Sequence, residues 1–185
     1  GNDVTIGGSS KNVKFASGTT VDFSTNTPTL TLGTAMKATP AFEAFLSASQ
    51  DVSDNTTTKI QCNSEVFDSD SCYDNSSNYR FTPTTAGKYF VYAVLGTDTI
   101  SGANMDQVTL FIYKNGSSIS ESKIDARDNT LGSFCTVNAT LTVDMNGSSD
   151  YLEAYGKIDD TSGDPDFYGG SSRRTLFGAY KIIGA

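Results

Sequence analysis

Two segments of this chain are apolar on both faces, and this limits its folding options more than any other feature. In residues 89–95 one face carries Tyr89, Val91, Ala93 and Leu95 and the other Phe90, Tyr92 and Val94, since neighbouring side chains of a strand point to opposite sides. Residues 108–113 repeat the pattern. An antiparallel strand at the surface of a monomer shows one polar face, so the second apolar face here calls for another layer or another chain.

Composition narrows the function classes. The chain has 185 residues, enough for one good core plus an extension. Only 18% of its residues are charged, and the formal net charge is -8 with a pI near 4.4. Phosphate binding rests on clustered Lys and Arg, so nucleic acid and anionic lipid headgroups are excluded as partners. No apolar run reaches the roughly 18 residues of a membrane span, and no membrane insertion is expected. The start, Gly1-Asn2-Asp3, lacks a charged-then-apolar leader and suggests a mature form or a fragment. Histidine is absent, which removes Ser-His and Cys-His nucleophiles and imidazole metal sites. Cys62, Cys72 and Cys135 are odd in number, which argues against a disulfide framework and for reduced thiols. Cys62 and Cys72 are nevertheless near enough in sequence to pair. Cys135, in a strand-like run, reads as a small buried hydrophobe.

Residues 1–39 are organised differently from the rest. Val4-Thr5-Ile6, Val13-Lys14-Phe15, Val21-Asp22-Phe23 and Leu30-Thr31-Leu32 each set two apolar residues around a polar one, and Gly, Ser, Thr and Asn fill the gaps. Units this small build no core in one chain and need identical neighbours, so 1–39 reads as a short trimeric β-repeat stalk. A flexible Thr/Ser-rich linker is the alternative. Collagen is excluded, since no glycine recurs at every third position.

From residue 40 onward the chain is strand and turn. It carries, in order, Pro40-Ala41-Phe42-Glu43-Ala44-Phe45, Tyr73-Asp74, Phe81-Thr82-Pro83, Gly87-Lys88-Tyr89-Phe90, Lys114-Asn115-Gly116 and Phe177-Gly178-Ala179-Tyr180. This series resembles the globular head of the C1q/tumour-necrosis-factor superfamily over residues 40–185. The resemblance implies an all-β jelly-roll sandwich of two antiparallel sheets, assembled as a tight homotrimer, with Tyr89, Val91, Leu110, Ile112 and Phe177 as the expected interface. It places strands near 41–47, 58–67, 79–82, 87–96, 107–114, 118–125, 133–144, 150–157 and 175–183. Asn115-Gly116 and Asn146-Gly147 are the expected tight hairpins, because Asn and Gly accept positive φ. Both should lie at the base.

Alternating strand directions then put loops 96–105, 126–132 and 159–174 together at the distal end, where a rigid sandwich presents recognition loops. The candidate ligand-binding residues are Asp98, Asn104, Asn129, Asp164, Asp166, Phe167, Tyr168, Arg173 and Arg174. The third loop mixes acids, aromatics and glycines, which suits a sugar held by ring stacking and hydrogen bonds, or simply a solvated acidic loop. Arg173 and Arg174 suit an acidic sugar or acids on a neighbouring subunit. Some members of the superfamily bind calcium near the apex, and the matching positions here are Asp125 and Asp128. No other cofactor is expected. Five Asn-x-Ser/Thr sequons begin at Asn55, Asn75, Asn115, Asn138 and Asn146, a number that chance supplies in so Asn/Ser/Thr-rich a chain.

No catalytic motif is present, and no enzyme is expected, although carboxylate pairs across a subunit interface are invisible to sequence. Repeat shafts leading into C1q-like heads resemble bacteriophage tail fibres and capsid spikes. The expected role is a structural virion protein, extracellular, whose distal part attaches to a host-surface glycan or protein receptor while its N-terminal side meets other virion proteins. A secreted C1q-like ligand or lectin is one alternative. A capsid decoration protein that binds no host is the other.

Overall fold

The computed structural model describes residues 37–99, 105–127, 132–161 and 164–183. Residues 1–36 of the expected stalk lie outside them. Among the described residues every regular element is a strand: β1 Ala41–Phe45, β2 Gln50–Asp51, β3 Thr58–Lys59, β4 Ser64–Asp68, β5 Tyr73–Asp74, β6 Arg80–Phe81, β7 Gly87–Thr99, β8 Met105–Lys114, β9 Ser117–Asp125, β10 Phe134–Met145, β11 Leu152–Asp160, β12 Pro165–Phe167 and β13 Leu176–Lys181.

They form two antiparallel sheets. The first runs β4-β1-β13-β7-β10, with β12 prolonging the line of β13 against β7 and β2 flanking β12. The second runs β5-β6-β11-β8-β9, with β3 prolonging the line of β6 against β11. The fold is the expected jelly-roll sandwich. One expected strand, 58–67, divides: β3 joins the second sheet and β4 the first. Between them Ile60 and Cys62 are both buried, so the chain crosses from sheet to sheet through the core.

The space between the sheets takes one parity of each strand. Tyr89, Val91, Ala93 and Leu95 from β7 meet Val108, Leu110 and Ile112 from β8, all fully buried or nearly so. At the base end Phe42 stacks on Tyr73 and Phe81 at centroid distances of 4.5 and 4.6 Å, and Phe177 meets it edge-on at 5.1 Å. Buried phenols are satisfied locally: Tyr73 donates to the Cys62 carbonyl at 3.0 Å and Tyr89 to that of Thr85 at 2.7 Å. Cys62, Cys72 and Cys135 are buried free thiols, and burial pushes the Cys62 thiol far above its ordinary range.

This packing corrects the expected interface. Tyr89, Val91, Leu110, Ile112 and Phe177 lie in the chain's own core and have no surface to offer a second copy. The reason is parity: where both faces are apolar, alternation does not say which one the partner sheet covers. The face left outside the first sheet holds Phe90, Tyr92 and Val94 of β7, Leu176 and Tyr180 of β13 and Phe45 of β1. Across it the register aligns Phe67, Glu43, Gly178, Tyr92 and Thr140. Tyr92 lies over Gly178, where a Cβ would fall 2.2 Å from the ring, and its hydroxyl donates to Glu43 Oε2 at 2.9 Å.

Asn115-Gly116 is the expected tight hairpin, with φ of +53 and +78 between β8 and β9. Asn146-Gly147 is not. It opens a crossover from β10 in the first sheet to β11 in the second, and Asn146 Oδ1 accepts from the amides of Ser148, Ser149 and Asp150. Both turns lie at the base, where Asn115 Nδ2 donates to Asp150 Oδ1 at 2.8 Å.

Candidate functional site at the distal end

The opposite end gathers the C-terminal ends of β7, β9 and β11 and the N-terminal ends of β8, β10 and β13, as the pairs Asp98–Phe134, Gln107–Asp125 and Gln107–Asp159 require. The strand ends that bound the three expected loops therefore share one end. The third is not a free loop, because β12 lies within it and is clamped between β7 and β2.

Strand parity sorts the residues of β12. Pro165 and Phe167 turn inward and Asp166 outward. Phe167, expected as an accessible ring, is fully buried. It lies against Gly156, where an added Cβ would stand 2.6 Å from its ring and 2.8 Å from Leu95. A three-residue strand beside two neighbours is enough to pull an aromatic ring into the core, and the flanking glycines of the sequence gave no hint of it.

Asp166 lies directly across from Asp98 on β7 and from Asp51 on β2, so three carboxylates form a row over three adjacent strands. With Thr99 and Asp164 they line an open cleft of about 310 Å³. Burial, and then the charges of Asp51, Asp164 and Asp98, push the Asp166 carboxyl up. Asp98 accepts from the Thr99 amide at 3.0 Å. Behind the row, the Thr99 hydroxyl is bonded to Asp160 Oδ2.

Beside this row stands a cationic and aromatic group. Tyr168 meets Phe134 edge-on at 5.4 Å, and the Arg174 guanidinium lies over both rings at 4.5 Å from Phe134 and 5.3 Å from Tyr168. Gly96 makes room for it, since a Cβ there would come within 3.0 Å of Arg174 Cβ. Arg173 takes a left-handed φ of +51, reaches Glu43 at 3.6 Å and lies over the Phe45 ring. Thr175 fastens this segment to β7: its hydroxyl accepts from the Gly96 amide at 3.1 Å and lies 2.7 Å from the Tyr168 carbonyl.

Of the sequence candidates, Asp98, Asp164, Asp166, Tyr168, Arg173 and Arg174 come together here. Asn104, Asn129 and Asp128 lie outside the described residues. Asp125 is engaged elsewhere: Arg127 donates to it from Nε at 2.9 Å and from Nη2 at 2.5 Å, and holds its carboxyl down at about 2. Among the described residues no group of three or more Cys, Asp or Glu is arranged to hold a metal ion. Sequence reasoning missed Asp51 and Phe134. Phe134 was legible from parity, because Cys135 and Val137 face inward and 134 then faces outward. Asp51 was not, because only the pairing of β2 with β12 brings it to the row.

No family model matches the sequence, and no curated protein does. Among solved structures the chain is similar to the Eiger TNF of S. frugiperda, with a TM-score of 0.56 and 10% identity, covering 78% of this chain and 93% of that one. It is likewise similar to murine APRIL at pH 5.0, with a TM-score of 0.54 and 10% identity, covering 77% and 99%. At such identity the likeness is one of fold, and residues 41–181 form a TNF/C1q-like jelly roll.

Proposed function

We propose that this chain is the host-attaching head of a homotrimeric virion fibre or spike, an extracellular structural protein that acts by binding and not by catalysis. The observation that carries the assembly is the aromatic outer face of the first sheet. Phe90 and Tyr180 lie 5.4 Å apart on it, and Tyr180 is 42% exposed in the single chain. A second uncovered surface supports the same reading. Among the described residues β9 and β10 are each hydrogen-bonded on one side only and present long edges without proline, which soluble proteins normally cover or blunt. A face and an edge are different surfaces, so contacts that join them are head-to-tail and make a ring where the rotation between copies closes. A trimer is the ring that the superfamily resemblance implies.

Both described chain ends lie at the base, which leaves the distal end free to meet a receptor. The half-buried Tyr168 ring at that end supplies a face on which a glycan would stack. The repeat of residues 1–39 favours a virion shaft. The TNF named among the structural neighbours favours instead a secreted ligand of a cellular organism.

Purified chain run through gel filtration with light scattering should give three times the 19.6 kDa chain mass. The labelled trimer, screened against bacterial and animal cells, then separates the readings. Saturable attachment to bacteria supports the fibre, and attachment to animal cells alone supports the secreted ligand. A stable monomer at micromolar concentration, or no attachment to any cell, defeats the proposal.

A further inference from the structure

The distal end of the first sheet's outer face carries two opposite charge groups that do not satisfy each other. Asp51, Asp166 and Asp98 stand in register on three adjacent strands, and like charges directly opposite one another are unfavourable. None of the ion pairs among the described residues includes any of the three. Asp164 adds a fourth carboxylate to the same cleft. On the same face, at the start of β13, Arg173 and Arg174 are both exposed. Arg173 makes one long ion pair, at 3.6 Å with Glu43. Among the described residues Arg174 contacts two aromatic rings and makes no ion pair, which leaves its guanidinium donors for a planar acceptor.

From this we infer that the carboxylate row of one copy receives the Arg173–Arg174 pair of a neighbouring copy, forming a charged clasp at the distal end of the assembly. The partner is a second copy of this chain because one face carries both members of the complement beside an apolar body built of Phe90, Tyr92, Val94 and Tyr180. Apolar contacts alone let neighbouring copies slide past each other, whereas a cation set against an acid row fixes rotation and height, and mismatched register is penalised by like-charge contact. The inference rests on the self-assembly proposed above and assigns the contacts that set its register.

The test is charge reversal read by mass against concentration. Arg173→Glu with Arg174→Glu, and separately Asp51→Lys with Asp98→Lys, should each raise the concentration of half-dissociation about tenfold or more. The chain carrying all four substitutions should recover to within about threefold of the parent, because the clasp is then rebuilt with its signs exchanged. A contact within one copy would change stability independently of concentration, so circular dichroism of the diluted chains checks that each variant keeps its fold. For a pair that fails to fold, Arg174→Gln and Asp98→Asn are the milder substitutes, each expected to weaken assembly. If the parent is trimeric and both reversals assemble as tightly as it does, the clasp is wrong while the trimer stands. A monomeric parent would overturn both.

Discussion

Replacing Phe167 by alanine separates a core role for this ring from a ligand-stacking role. The ring is fully buried and fills the space that Gly156 leaves open, against Leu95. Deleting it removes the transfer free energy of the largest side chain in β12 and leaves a cavity between two sheets that cannot easily close. Substitutions of this kind cost about 3–5 kcal/mol, a large share of the roughly 5–15 kcal/mol that holds a typical domain together. For a domain of this size the midpoint of thermal unfolding should fall by about 6–20 °C. Scanning calorimetry at one fixed chain concentration, supported by a denaturant titration, gives the number without confusing folding with assembly. Tyr168→Ala is the internal control. Its ring is half-buried and loses an edge-on contact and a cation–π contact, together about 1–3 kcal/mol. If Phe167→Ala costs less than about 1 kcal/mol, the ring is not part of the core, and the account of β12 as a clamped strand fails with it.

Three further outcomes follow from the same structure. Phe90→Asp or Tyr180→Asp should abolish self-association and leave a folded monomer, whereas Val91→Asp, on the inward parity of the same strand, should prevent folding; matched mass and circular dichroism measurements decide. The Asp166 carboxyl is raised in the folded chain, so its contribution to stability is complete below the ordinary Asp value of about 4 and is lost as pH rises through the folded value. Asp166→Asn should therefore flatten the decline in melting temperature from about pH 4 toward neutrality, and an unchanged slope would contradict the carboxylate row. Gly116→Ala should cost about 1 kcal/mol in a denaturant titration, because the type I′ turn holds this position at a φ of +78.

How much of the molecule was readable without coordinates depends on whether the signal was local. Strand positions came through because alternation and turn residues act over a few positions. The β7, β8 and β9 boundaries fall within a few residues of those expected, and Asn115-Gly116 makes the turn its own φ preferences require. Asn146-Gly147 carries the same dipeptide, yet it opens a crossover because its two flanking strands belong to different sheets. Local chemistry fixed the bend there, and tertiary pairing fixed what it joins.

The alternation of residues 89–95 determined that this strand needs cover on both faces, a requirement written in side-chain polarity alone. Which parity became core was decided by sheet-on-sheet packing, which took Tyr89, Val91, Ala93 and Leu95 and left Phe90, Tyr92 and Val94 outside. Phe167 shows the same division, since its apolar character was plain and its burial depended on β12 finding β7 and β2. The row of Asp51, Asp166 and Asp98 joins three residues distant in the chain, and no local rule places them together. Polarity and turn preference are properties of a residue and its near neighbours, so the sequence carries them openly. Burial, register and the meeting of distant charges are properties of pairs, and they exist only once the sheets have formed.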